Sequence, residues 1–156
     1  MTNTPSARLE LLSRKLQQLH SLTLHAEKQF HPVMGEWELL DRLMKDPTWA
    51  WLRPLSGLIA DIDHVLAQDE PPTEYDLAVV AAHTRELLAG EGAANLAFAE
   101  HYLPLLQSHP ELVSMHGEIK AFLKSAPAEA ADEAERLHNR HRWAMRCKQQ
   151  LRAHGE

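Results

Sequence analysis

The residues best suited to chemistry are histidines and a carboxylate near the start of the chain. His20, Glu27 and His31 follow one another at spacings of seven and four, which places them on one face of a helix. Glu27 and His31 are one helical turn apart, and helical bundles build metal sites from glutamate and histidine on inward faces. These three residues are therefore candidate metal ligands, and the segment Asp61 to His64 is a looser candidate.

A second interpretation of the same residues needs no metal. His20 and Glu27 would flank the buried seam of a bundle helix as half-exposed packing or ion-pair residues. The chain has eleven histidines, so one alignment of this kind is expected by chance. We favour this interpretation and expect neither a resident metal ion nor another cofactor.

Two tryptophans suggest a contact surface. The spacing of two residues puts Trp49 and Trp51 on different faces of a helix. One ring can enter the core while the other lies at the rim, stacked by Arg53. Trp51 and Arg53 are therefore candidate partner-binding residues, although core packing is the favoured interpretation of both rings.

No recognised catalytic pattern is present. The six glycines form no phosphate-binding loop, and the chain has no serine elbow and no cysteine pair for zinc. Cys147 lies among Arg142, Arg146 and Lys148, which would lower the pKa of an exposed thiol. A nucleophile also needs an oriented base, and none can be assigned. We therefore predict no catalytic residue.

Composition narrows the class of protein. A chain of 156 residues with a hydrophobic fraction of 44% is typical of one globular domain. Its single cysteine gives no sign of an oxidising compartment, and its polar start is unlike a secretory signal. No apolar run is long enough for a membrane span. These features predict a cytoplasmic protein that does not enter membranes.

Helical periodicity predicts the architecture. An apolar seam begins at Leu9 and continues to Phe30 at alternating spacings of three and four. Thr4 should cap this helix, with Pro5 in its first turn. Further helices are predicted over residues 36–45, 47–68 with a kink or restart at Pro54, 73–89, 94–107, 110–125 and 128–153. No segment alternates like a strand, so we predict an all-α bundle of six or seven helices with antiparallel neighbours and no sheet.

The C-terminal segment differs from the rest in charge. Residues 1–125 contain ten basic and seventeen acidic residues, whereas no acid lies between Arg136 and Gly155. We therefore divide the chain into a bundle domain, residues 1–125, and a charged helix, residues 126–156, packed on or extending from it. Its stripe of Leu137, Ala144 and Leu151 is narrow, which predicts weak, salt-sensitive docking on an acidic body. A chain ending at Ser125 should then remain folded.

One segment resembles a known group of proteins. The stretch from Asp46 to Ser56, DPTWAWLRPLS, together with Ile62 and Asp63, is similar to a segment of small uncharacterised bacterial helical proteins. Those proteins also begin with a helix that carries Leu-His and a downstream glutamate, like Leu19, His20 and Glu27. The resemblance covers Leu9 to Leu66. It implies a bacterial cytoplasmic helical protein and no particular activity.

These features favour a non-enzymatic helical module that binds a protein partner or itself, for example as a homodimer. The alternative is a metal- or small-ligand-binding bundle, either an enzyme or a sensor, that uses histidine and carboxylate ligands. Binding of nucleic acid through the basic C-terminal helix is less favoured than docking of that helix on the acidic residues of the bundle or of a second copy.

Overall fold

A computed structural model of the protein describes residues 3–28 and 47–151. The described part forms six α-helices and a short 3-10 helix, with no strand. The α-helices are α1 (Pro5–Lys28), α2 (Arg53–Leu66), α3 (Glu74–Ala89), α4 (Ala93–Ser108), α5 (Pro110–Ser125) and α6 (Glu133–Lys148), and the 3-10 helix spans Pro47–Leu52. The predicted all-α bundle is confirmed, while the helix predicted over 36–45 lies outside the described residues.

Helix α1 is the central helix of the bundle. The Thr4 hydroxyl accepts a hydrogen bond from the backbone N–H of Ala7 at 3.1 Å, which caps its first turn as predicted. Its seam is buried against α2 and α5, and comprises Leu9, Leu12, Leu16, Leu19, Thr23 and Ala26. The seam is therefore the inner face of a bundle helix, as the sequence indicated.

Pro54 marks a restart of the chain. The 3-10 helix ends at Leu52, and α2 begins at Arg53 with Pro54 in its first turn. Proline fits there because its missing N–H would have no partner in the first turn of a helix. Of the two outcomes predicted for this proline, the structure has the restart.

Helix α3 begins and ends on the residues that the sequence indicated. The backbone N–H of Thr73 donates to Asp76 at 2.9 Å, and that of Asp76 donates back to the Thr73 hydroxyl at 3.2 Å. Gly90 ends the helix with φ of 73°, a conformation that favours glycine. A Cβ atom at Gly90 would also lie 2.7 Å from that of Ala99, so α4 could not pack as closely.

Two details of α4 and α5 differ from the prediction. In the sequence, Ser108 and Glu111 have the spacing of a capping box for α5. Ser108 is instead the last residue of α4, and the N-cap is His109, whose side chain makes no capping hydrogen bond to α5. Ser108 is one residue too early to reach the free N–H groups of α5. Apolar spacing along α4 indicates Leu96 and Leu103 for its inner face, but both are exposed, and the buried stripe contains Tyr102 and Leu105.

The helical spacing of apolar residues predicts one shared core for eleven side chains, and the structure confirms it. They belong to a single cluster of buried side chains: Leu12, Leu16, Leu19, Leu52, Leu55, Leu58, Ile62, Val80, Leu87, Ile119 and Phe122. The same cluster contains Trp143 from α6. The C-terminal helix is therefore packed on the bundle and contributes to its core.

Helix α6 buries a different face from the one predicted. The expected stripe is exposed, with Leu137 at 58% and Leu151 at 48% of full accessibility, and Ala144 is exposed too. Trp143 and Arg146 instead are only 3% and 7% exposed. The predicted stripe was wrong because Arg146 was counted as a surface residue, although its charge is paired inside the protein. The helix is also shorter than predicted, ending at Lys148.

None of the described helices combines the length and the apolar content that a membrane span requires.

Candidate ligand pocket

A pocket of about 490 Å³ opens where α2, α3 and α6 meet, with Asn95 of α4 at one side. Its apolar wall is formed by Pro54, Leu58, Leu87, Trp143 and Ala144. Its polar groups are Asp61, His83, Asn95, Cys147 and Lys148, and Gly57 completes the lining. This volume and this mixture of an apolar wall with a few polar groups are typical of sites for small molecules.

Helical spacing on three helices brings these side chains together. Gly57 and Asp61 are four residues apart on α2, as are His83 and Leu87 on α3. On α6 the same interval separates Trp143 and Cys147. Residues four apart lie on the same face of a helix, so each helix presents at least one such pair to the pocket.

Asp61 is the acidic group of the pocket. Burial raises the pKa of its carboxyl group, and the nearby rings of His64 and His83 lower that pKa by a smaller amount. Among the described residues, no side chain or backbone group donates a hydrogen bond to Asp61 or forms an ion pair with it. The carboxylate therefore enters the pocket without a donor of its own.

His83 is the second titratable group. Burial lowers the pKa of its ring, and the positive charge of Arg140 lowers it further, while Glu86 and Glu129 act in the opposite direction. Its Nδ1 atom lies 3.8 Å from a carboxylate oxygen of Glu86. With a lowered pKa, the ring is mainly neutral near pH 7 and can both donate and accept hydrogen bonds.

Cys147 is not an activated nucleophile. Burial raises the pKa of its thiol to about 12, and the carboxylates of Asp61 and Asp76 act in the same direction. Arg146 lowers this pKa, but by less. The sequence had suggested a lowered pKa for an exposed Cys147. The half-buried position of the thiol reverses that effect and keeps it protonated near pH 7.

Two arginines of α6 hold the outer wall of the pocket in place. Arg146 is buried, and its guanidinium donates to Asp76 at 2.8 Å, to Gln68 at 3.2 Å and to the backbone carbonyl of Glu70. Gln68 in turn donates to the carbonyl of Arg146 at 2.6 Å. We call these contacts the Arg146 clamp. It ties α6 to the chain between α2 and α3.

The second arginine, Arg140, bridges two carboxylates. It donates two hydrogen bonds to Glu129, at 2.8 and 2.7 Å, and one of its nitrogens lies 2.6 Å from Glu86. The hydrogen bonds from Arg140 lower the pKa of Glu129. The bridge joins α6 to α3 and to the segment before α6, so the helix is held at its middle by Arg140 and near its C-terminal end by Arg146.

The predicted metal ligands lie elsewhere. His20 and Glu27 are half-buried on α1, and burial lowers the pKa of His20. His31, the third candidate, lies outside the described residues. Over residues 3–28 and 47–151, no cluster of three histidine, cysteine or acidic side chains has a geometry suited to a metal ion.

The predicted partner-binding residues separate in the structure. Trp51 is 5% exposed and stacks on His101, with ring centres 5.0 Å apart, beside Phe98. This placement supports the core-packing interpretation of Trp51. Arg53, at the start of α2, is exposed.

The pocket itself was not predicted. In the sequence, Asp61 belongs only to a loose metal candidate, and nothing singles out His83 or Trp143, because each lies on a separate helix more than twenty residues from the next. Only the packing of α6 brings them together. Comparisons with protein-family models, curated proteins and solved structures find no match to this chain. The resemblance of the Asp46–Ser56 segment stays a prediction.

Three partly buried histidines predict how stability depends on pH. Burial lowers the pKa of His20, His83 and His116 below the ordinary value of 6.5, and His116 also contacts the Tyr102 hydroxyl at 2.8 Å. As pH falls, the unfolded chain binds protons first, which favours unfolding. Stability should therefore be greatest above pH 6.5 and decline as pH falls through the lower pKa values of the folded state.

Thermal melts at about pH 7.5 and about pH 5.5 check this prediction. The decline should be smaller in a His83→Asn variant and unchanged in a His138→Asn variant, since His138 is exposed on α6. A higher melting temperature of the wild-type protein at the lower pH than at the higher pH would contradict the lowered histidine pKa values.

Proposed function

We propose that this chain binds a small amphipathic organic molecule in the pocket between α2, α3 and α6, without converting it. The observation that carries the proposal is the convergence of Asp61, His83 and Asn95 beside the apolar wall of Leu87 and Trp143. Sites for small ligands combine such a wall with a few polar groups that orient the ligand. The protonated Cys147 thiol supports binding rather than covalent catalysis.

The attachment of α6 also supports this proposal. The Arg146 clamp and the Arg140 bridge hold the C-terminal end and the middle of the helix that carries Trp143 and Cys147. A wall held in this way keeps the pocket open before a ligand arrives, which lowers the entropic cost of binding. The function is therefore that of a helical binding protein or sensor.

A blocking substitution tests the proposal. Gly57 lines the pocket, and a Cβ atom there meets no atom within 4 Å. A Gly57→Phe variant should therefore fold and place its ring in the mouth of the pocket. The probe is 2-phenylethanol, a neutral amphipathic molecule, and its binding is measured by ligand-observed nuclear magnetic resonance.

The matched control is Gly117→Phe on α5, where an added Cβ atom also meets nothing within 4 Å. Gly117 does not line the pocket. We expect 2-phenylethanol to bind the wild-type protein and the Gly117→Phe variant, and to lose binding in Gly57→Phe. Equal binding to both variants would place the probe elsewhere and refute the proposal.

A second candidate function is self-association through the outer face of α6. This face exposes the apolar side chains of Leu137 and Met145 next to the exposed bases Arg142 and Lys148. Charge complementarity with the acidic residues of a second copy, in a bacterial cytoplasm, would favour a dimer. Sedimentation velocity at about 50 mM and about 500 mM salt tests this candidate. A monomer at both salt concentrations would refute it.

A further inference from the structure

Among the described residues around the pocket, the charges are paired except at Asp61 and at the exposed Lys148. Arg146 pairs with Asp76, and Arg140 bridges Glu86 and Glu129. In contrast, Asp61 has no donor among the described residues, and the groups that act on it electrostatically are the rings of His64 and His83. The His64 ring is already hydrogen-bonded to the backbone carbonyl of Gln149.

A second acceptor lies in the same pocket. The side-chain amide of Asn95 donates to the backbone carbonyl of Glu91 at 2.9 Å, which leaves the Asn95 oxygen without a donor in the described part of the chain. A carboxylate and an amide oxygen that lack donors match a ligand group with several N–H bonds. A ligand that fills the pocket would exclude water from the half-buried Asp61 carboxylate. This is costly unless the ligand supplies a cation or a hydrogen-bond donor in place of the water.

We propose that the pocket selects a protonated amine on an apolar or aromatic body, with its ammonium group paired to Asp61. This inference rests on the proposed function and names its ligand class. The body of the ligand packs on Trp143, Leu58 and Leu87. An ammonium group carries three N–H donors, enough for Asp61 and the Asn95 oxygen together. A ligand carboxylate would instead be repelled by Asp61.

Among the described residues that line this pocket, Lys148 is the one cation, and its exposed position on α6 leaves it in solvent. Its charge opposes the binding of a cationic ligand. The proposal therefore predicts opposite effects for two substitutions in one pocket. Removing the Asp61 charge should weaken binding of an amine, whereas removing the Lys148 charge should strengthen it.

Three probes with the same aromatic body and different head groups test the selectivity. They are phenethylamine, which is cationic, 2-phenylethanol, which is neutral, and 3-phenylpropionate, which is anionic. Their affinities are measured by nuclear magnetic resonance titration at low salt. We expect phenethylamine to bind most tightly and 3-phenylpropionate to bind least.

The Asp61→Asn substitution keeps the shape of the side chain and removes its charge. It should weaken phenethylamine binding by about tenfold or more, because the ammonium group then meets a neutral amide oxygen in place of a carboxylate. Binding of 2-phenylethanol should stay within about twofold. The matched control is Asp63→Asn, which also removes a negative charge from α2. Asp63 accepts a hydrogen bond from the Ser13 hydroxyl and does not line the pocket.

The outcomes separate the two proposals. If none of the three probes binds the wild-type protein, the proposed function itself fails. If 2-phenylethanol and 3-phenylpropionate bind as tightly as phenethylamine, or if Asp61→Asn and Asp63→Asn have the same effect, only the amine selectivity fails. Lys148→Gln provides a second test if Asp61→Asn does not fold. Weaker phenethylamine binding by Lys148→Gln than by the wild-type protein would overturn the inference.

Discussion

Replacing Arg146 with alanine should lower the free energy of unfolding by about 3–5 kcal/mol. The guanidinium of Arg146 is buried and lies 2.8 Å from the carboxylate of Asp76, which is itself buried. Alanine at this position would leave that carboxylate inside the protein without its cation. It would also remove the donors to Gln68 and to the Glu70 carbonyl.

This loss of stability arises because Asp76 would remain charged and unpaired inside the protein. The lost attraction between the two charges is only part of it. An uncompensated buried charge is more costly than the loss of a contact between exposed groups. Asp76 also accepts the hydrogen bond that caps α3, so its side chain cannot simply turn out to solvent without losing the cap. The start of α3 and the docking of α6 therefore depend on the same carboxylate.

Urea-induced unfolding followed by circular dichroism measures this effect. The control is Arg142→Ala, an exposed arginine of the same helix, which should change stability by no more than about 0.5 kcal/mol. Adding Asp76→Asn to Arg146→Ala should recover part of the loss, because the amide carries no charge and still accepts from Thr73. Equal stability of the Arg146→Ala and Arg142→Ala variants would show that the clamp contributes little.

Replacing Trp143 with alanine should cost about 3–5 kcal/mol, the range for deleting a large aromatic side chain from a core. Trp143 is buried in the main cluster of the bundle and is the largest apolar side chain that α6 contributes to it. Its removal leaves a cavity beside Leu58 and Leu87 and also takes away one wall of the pocket.

The same unfolding measurement applies, with Leu137→Ala as the control on the exposed face of α6. Leu137→Ala should be nearly neutral, and Trp143→Phe should lose less than Trp143→Ala because part of the ring is kept. A Trp143→Ala variant as stable as Leu137→Ala would mean that α6 does not pack on the core in solution.

These two residues change what is expected of the C-terminal segment. The sequence predicted weak, salt-sensitive docking and a folded chain after truncation at Ser125. The buried positions of Trp143 and Arg146 instead lead us to expect that such a truncation lowers the melting temperature strongly. They also predict little effect of salt on the docking of α6, since a buried ion pair is screened much less than an exposed one.

The helices and most of the core could be predicted from local patterns. The seam from Leu9 to Ala26, the capping box of Thr73 and Asp76, and the glycine that ends α3 all act within a few residues of the chain. Local rules apply there because hydrogen bonds and side-chain faces repeat with the period of the helix. The restart at Pro54 follows from the geometry of proline in the same way.

The tertiary structure alone decided which face of α6 is buried and where the pocket lies. Hydrophobicity along the sequence favoured Leu137, Ala144 and Leu151, because an arginine is ordinarily assigned to the surface. Arg146 enters the protein only because Asp76, seventy residues earlier in the chain, supplies the opposite charge. That pairing turns Trp143 inward and brings Cys147 toward Asp61 and His83. Such long-range charge compensation has no periodicity along the chain, so the site that it creates could not be predicted from the sequence.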